Sequence, residues 1–309
     1  MCITCTNLSS KDKTELNKIT KLSFRFCDSV TEIPKGCINL DILDLRDCSN
    51  LIGIPKELIN LKEIWCTGCP LITCIPKEFV NLIQLYCHGC PNITEIPKEF
   101  VKLEILNCAD CLNIKEIPKE FVNLTQLYCK KFNLLKEIPK ELVNLISLNC
   151  SGCKNLTHIP KELTKLEILD CSFCPKITHI PKELVKLKTI CCYSCNSLSH
   201  IPKELVNLQS FNCSKCPSLT HIPNELVKLK YVYCTNSPNL IDMPPHLLRG
   251  DNKLMIEKNY QRYCKHQCSK LISIILEELI QRTWEPVRAM EWCWDEEEKK
   301  FMNNILHIS

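Results

Sequence analysis

Between Pro34 and Pro244 a proline returns every 21 residues, eleven times and without a slip. Each sits in a phrase such as Ile96-Pro97-Lys98-Glu99-Phe100 or Ile201-Pro202-Lys203-Glu204-Leu205. A fixed period of this length is the mark of stacked coils, one per repeat. It also constrains function, because a solenoid offers a long surface to a partner and seldom carries chemistry by itself.

The filling of each coil follows from its apolar columns. One repeat reads Leu82-x-x-Leu85-x-Cys87-x-x-Cys90-x-x-Ile93-x-x-Ile96-Pro97, with Phe100 and Leu103 behind it. Every one of these positions stays apolar along nearly the whole array. No coil can bury such a stripe alone, but a stack makes one continuous core. In Leu85-Tyr86-Cys87-His88 apolar and polar residues alternate, the period of a strand with one buried face. This predicts about 11 short parallel strands, from Leu22–Phe24 to Val232–Cys234. The Ile-Pro-Lys-Glu-Leu segment is the return leg, where proline presets φ for a first helical or 3₁₀ turn.

These phrases resemble those of leucine-rich-repeat proteins over roughly residues 16–248. The Ile-Pro-x-x-Leu leg is similar to the short typical repeats, and Cys90-Pro91-Asn92-Ile93-Thr94 to the cysteine-containing subtype of ubiquitin-ligase substrate receptors. The Lys-, Ile- and Asn-rich copies also resemble repeat proteins of giant DNA viruses of amoebae. The resemblance implies an α/β solenoid, a horseshoe with its strands on the concave face and short 3₁₀ or helical return legs. It further implies a protein-interaction scaffold, with a ubiquitin-ligase substrate-recognition component as the alternative. That family places an F-box before the repeats, and here only about 15 polar residues precede them.

The chain has 26 cysteines, with seven Cys-x-x-Cys pairs that invite a zinc or metal-storage reading. Two columns account for 18 of them: Cys66 to Cys234 at an inward strand site, and Cys27 to Cys216 at the turn that follows. Phe24 and Leu45 replace the first column in the opening coils, and Phe132 and Ser237 interrupt the second. A residue exchangeable with Phe or Leu is occupying apolar volume, as buried free cysteine does. Tetrahedral zinc needs a closed four-ligand cage, which two parallel columns do not offer. The expectation is therefore buried thiols and no metal, the turn thiols serving backbone groups of the adjacent coil. Free thiols in this number fit a reducing, cytoplasmic setting, in the host cell if the protein is viral. Met1–Thr6 shows no signal-peptide pattern, and no apolar run is long enough to span a membrane.

The outward strand positions vary from coil to coil, so they alone can encode a specific partner. Trp65, Tyr86 and Tyr128 form one aromatic group, and Tyr193, Tyr231 and Tyr233 a second, with His88, Lys130 and Asp170 beside them. Exposed Trp and Tyr are favoured interface anchors. The outer face is monotonous by contrast, a Lys row beside a Glu row, with His158, His179, His200 and His221 replacing Glu95, Glu116 and Glu137 in one column. A net charge of +4 is too small to argue for nucleic acid. With only 6 Gly, no phosphate loop and no conspicuous carboxylate pair, the chain shows no enzyme constellation and no cofactor motif. The expected state is a monomer bound to a protein partner.

The ends divide the chain into an N-terminal cap at 1–15, the solenoid at 16–248 and a helical segment at 249–309. In the last, Tyr260, Cys264, Cys268, Leu271, Ile275 and Leu279 share one helical face, and Pro286 opens a second pattern containing Trp294. This segment reads as a cap or a docking module.

Overall fold

A computed structural model describes residues 13–240 and 242–248. Most of the expected N-terminal cap and all of the 249–309 segment lie outside the described residues. A single turn, α1 (Lys13–Leu16), leads into eleven three-residue strands. They are β1 (Lys21–Ser23), β2 (Ile42–Asp44), β3 (Glu63–Trp65), β4 (Gln84–Tyr86), β5 (Ile105–Asn107) and β6 (Gln126–Tyr128). The series continues through β7 (Ser147–Asn149), β8 (Ile168–Asp170), β9 (Thr189–Cys191), β10 (Ser210–Asn212) and β11 (Tyr231–Tyr233), then α2 (Pro245–Leu248). The strands form one parallel sheet in strict sequence order.

Register is the 21-residue period itself: Leu85 pairs with Leu106, and Leu106 with Leu127. A slip of one residue would turn every buried leucine outward, so the core pins the register. The strands begin one residue earlier than the alternation alone indicated, at Gln84 rather than Leu85. Ladder bonds nevertheless run on past the strand, from Cys87 N–H to Asn107 O at 2.8 Å and from Gly89 N–H to Ala109 O at 2.9 Å. The apolar columns merge into one cluster from Leu16 to Leu247. Each return leg makes one i→i+3 turn, such as Phe100 N–H to Pro97 O at 3.3 Å, which is all that the proline needs to point Phe100 inward.

The residue after the outward column takes the left-handed conformation in every coil, from Phe26 (φ 58°) to Asn236 (φ 57°). Only Gly68, Gly89 and Gly152 use glycine there. The turn is retained in the other eight coils, and in seven of them its N–H still feeds the ladder, as in Lys131 N–H to Ser151 O at 2.7 Å.

Both cysteine columns are buried except at Cys234 in the last coil, which is half-buried. From Cys48 on, the turn column forms a second ladder, each thiol donating to the carbonyl 24 residues earlier: Cys69 to Leu45 at 3.0 Å, Cys90 to Cys66 at 2.9 Å, Cys195 to Cys171 at 3.0 Å. Where serine replaces cysteine, Ser237 makes the same bond to Cys213 O at 2.7 Å. Burial pushes the thiols of Cys108 and Cys213 far above the ordinary range. Among the described residues, no group of three or more His, Cys, Asp or Glu is placed to hold a metal ion.

Two asparagine ladders, absent from the reading of the sequence, close the edges. Asn123 Nδ2 donates to Val101 O at 2.8 Å and Asn144 to Val122 O at 2.7 Å, while Asn92 and Asn113 reach Pro70 O and Pro91 O, both at 2.7 Å. Where lysine replaces asparagine it reaches back instead, as Lys102 Nζ does to Asn81 Oδ1 at 2.7 Å.

Candidate protein-docking face

The central outward side chains set two groups of coils apart from the rest. In five coils Asn or Asp occupies the central outward position and caps its own coil. Asn107, Asn149, Asp170 and Asn212 accept the N–H of the residue two further on, at 3.3, 3.0, 3.0 and 3.1 Å, and Asp44 does the same for Arg46. These side chains serve the turn that follows the strand. Asp170, expected to read a partner, is thus committed to its own backbone, and burial pushes its carboxyl up.

In β3, β4 and β6 an aromatic side chain stands at that position instead, and the outward residue two earlier holds it. Tyr86 Oη donates to Gln84 Oε1 at 3.2 Å and Tyr128 Oη to Gln126 Oε1 at 3.0 Å. Trp65 is hydrogen-bonded to the Glu63 side chain; burial pushes that carboxyl up while this bond pulls it down. The signal was present in the sequence as Glu63-Ile64-Trp65, Gln84-Leu85-Tyr86 and Gln126-Leu127-Tyr128. Its meaning depends on which residues share a face, so the holding role of Glu63, Gln84 and Gln126 was missed.

The aromatic coils then combine. Trp65 and Tyr86 stack face to face, ring centroids 3.9 Å apart and 12° from parallel. On the far side the Arg46 guanidinium lies 4.9 Å from the Trp65 centroid, held in a fork by Asp44 at 2.9 and 2.6 Å. Asp44, Arg46, Trp65 and Tyr86 therefore form one continuous series across β2–β4. Burial pushes the Tyr86 phenol well up, which keeps it a neutral donor. Tyr128 stands two coils away, with Asn107 between.

The remaining expected residues are more dispersed. His88 Nδ1 lies 3.0 Å from Ala109 O and 3.7 Å from Asp110, whose other oxygen meets Lys131 at 2.9 Å. Lys130 is half-buried on the same face. Tyr193 packs against Phe173 at 5.0 Å and under the Lys215 ammonium at 5.1 Å. Tyr231 is half-buried, and Tyr233, in register with Asn212 in the outward column, is only 4% exposed.

The opposite side of the coil carries a trough of ≈ 1870 Å³ lined by the repeated Ile-Pro-Lys-Glu phrase. It presents nearly the same groups at each coil, which gives a partner little to distinguish. Its histidines each turn Nδ1 to the preceding hydroxyl, at 3.0 Å in Thr157–His158 and Thr178–His179, and the His179 and His200 rings stand 6.1 Å apart.

A family model, the Leucine Rich Repeat, matches residues 144–166. Solved structures agree over a much longer stretch. A leucine-rich-repeat protein of Leptospira interrogans aligns with a TM-score of 0.51 and 23% identity, over 70% of this chain and 69% of its own. The fold is the leucine-rich-repeat solenoid. The functional domain of InlJ from Listeria monocytogenes, which includes a cysteine ladder, gives 0.56 and 20% identity over 74% of this chain and 56% of its own. The Arabidopsis receptor kinase HAESA, solved with the peptide hormone IDA and a co-receptor, gives 0.54 and 24% identity over 76% of this chain and 47% of its own. The chain thus spans about half the length of these last two. No curated protein matches it by sequence.

Proposed function

We propose that this leucine-rich-repeat solenoid is a non-enzymatic scaffold that docks a protein partner across the concave face of its sheet. The observation that carries this reading is the Trp65–Tyr86 stack with Arg46 beside it. In five coils the central outward side chain caps its own backbone; in β3, β4 and β6 a held aromatic ring stands there instead. Rings already fixed by a neighbour lose little rotamer freedom when a partner covers them, which favours Trp and Tyr as anchors. HAESA, which shares the fold, is itself seen with a bound peptide hormone. Buried, unpaired cysteines favour a reducing, cytoplasmic setting for this encounter.

The test is a comparison of variants in one pull-down from native cell extract, followed by affinity measurement on the captured partner. Trp65→Ala and Tyr86→Ala are expected to weaken binding by more than ~1 kcal/mol with the thermal melt retained. His179→Ala, on the opposite side, is expected to bind as the parent does. Normal binding by both aromatic variants would move the working surface elsewhere.

A further inference from the structure

The histidine column on the return side of the coils changes two residues at once. Lys115-Glu116 and Lys136-Glu137 give way to Thr157-His158, Thr178-His179, Ser199-His200 and Thr220-His221, so a hydroxyl precedes the imidazole in four consecutive coils. Each hydroxyl oxygen lies 3.0–3.2 Å from Nδ1 of the histidine that follows it. A hydroxyl can accept from Nδ1–H, and in that tautomer Nε2 carries the lone pair. Metal-binding histidines use the same device: the ring nitrogen away from the ion donates to an oxygen, which fixes the tautomer and orients the ring. All four histidines are exposed.

Register brings the rings side by side. His179 and His200 are paired across a parallel bridge, next to the bond from Ser199 N–H to Thr178 O at 3.1 Å. Their rings lie 4° from parallel with centroids 6.1 Å apart. That separation exceeds the ~4.8 Å between neighbouring strands, so the two exposed rings splay apart and can close by tilting toward each other. Zinc–nitrogen bonds of ~2.0–2.1 Å require the two nitrogens about 3–3.4 Å apart. The same hydroxyl and the same 21-residue step make His158–His179 and His200–His221 further pairs of this design. Nearby charge is balanced, since Lys182 stands beside Glu183 and Lys203 beside Glu204.

We propose that neighbouring members of this column, with His179 and His200 as the central pair, chelate a divalent transition ion of the imidazole-preferring class, such as zinc or nickel. Two nitrogens come from adjacent coils and water fills the remaining positions. The site therefore needs no third protein ligand, in keeping with the absence of any metal-holding group of three or more among the described residues. Four histidines, two to an ion, take two ions at most. A bound ion clips consecutive return legs together, on the side of the coil away from the aromatic docking face.

Two variants of the full-length protein with equal numbers of histidines test it. His158→Ala/His221→Ala keeps the adjacent His179 and His200. His179→Ala/His221→Ala keeps His158 and His200, two coils and about 9.6 Å apart, too far to share an ion. In calorimetric titration, nickel(II) is expected to bind the first at least tenfold more tightly than the second, with equal thermal melts before metal is added. The thiols are the same in both, so any nickel they take cancels in the comparison. In the parent, zinc(II) is expected to shift the Nε2 resonances of His179 and His200 in imidazole nitrogen spectra while each Nδ1 stays protonated. That spectrum decides the matter if either variant melts lower. Equal affinities, weak or tight, overturn the proposal, because the ion is then held by single side chains or by other groups. So does zinc bound through Nδ1, which would displace the hydroxyls.

Discussion

The Cys111 thiol donates to the carbonyl oxygen of Cys87, one coil earlier, at 3.0 Å, and the bond recurs along the turn column wherever cysteine stands there in the second and later coils. Sulfur is a weak donor, but the carbonyl it reaches is buried, where an unmet acceptor costs free energy. The column therefore has two duties, filling apolar volume and answering a backbone group. Ser237 shows that a hydroxyl meets the second duty. Cys111→Ala is accordingly expected to lose ~1–2 kcal/mol, from the lost bond and the small void together. Cys111→Ser keeps a donor and is expected to lose less. Urea denaturation of the two variants checks this; equal losses would reduce the column to simple packing.

Thiol chemistry should sort by burial. Among the described cysteines Cys74 is exposed and Cys191 and Cys234 are half-buried, while the rest are buried. A mild thiol reagent is expected to modify Cys74 first, Cys191 and Cys234 slowly, and the columns only after denaturation. Peptide mass spectrometry reads the order directly, and rapid native labelling of Cys87 or Cys150 would contradict the structure.

Alkaline pH should unfold the array through the same groups. Burial pushes Cys48 up to about 11 and Cys69 to about 12, from the ordinary 9.0. Above pH 9 the unfolded chain gives up these protons while the folded chain keeps them, so the unfolded state binds fewer protons and stability falls with rising pH. The contribution is complete below pH 9 and is lost progressively as pH climbs through about 11 to 12. Melting temperatures measured from pH 7 to 11 are expected to hold level and then fall beyond 9.

The inward and outward assignments can be separated by truncation. Leu106 and Leu127 are fully buried on β5 and β6, where shortening to Ala typically costs ~2–5 kcal/mol. Lys98→Ala and Glu99→Ala on the return leg are expected to stay within about 0.5 kcal/mol, as at ordinary surface sites. Denaturation midpoints of the four variants measure the contrast.

Two glycines at the same turn position should respond differently. A Cβ at Gly68 would stand 2.5 Å from Asp47 Oδ1, whereas at Gly89 its nearest neighbour is a backbone nitrogen 3.9 Å away. Both have φ of 68°, so alanine carries the left-handed strain at either site, of order 1–2 kcal/mol. Gly68→Ala must also displace the Asp47 carboxylate and is expected to be the more destabilising. A double variant with Asp47→Ala should bring the two positions level in thermal melts.

Much of this architecture was already written in the period. Pro34 to Pro244 set the coil length, and the alternation around Leu85 set the strand. The exchange of Phe24, Leu45, Phe132 and Ser237 into the cysteine columns identified those thiols as core. These features depend on one coil's own residues and on the requirement that every coil fit the next, so a linear string carries them. The tertiary structure decided what depends on which side chains meet across coils. It paired Trp65 with Tyr86, set Arg46 on the indole, turned Asp170 to its own backbone, buried Tyr233 and set the His179 ring parallel to that of His200. The reason is physical: contacts between residues 21 apart depend on rotamers and on the small offset between stacked coils, and a repeat that is periodic in sequence does not state which of its faces is covered.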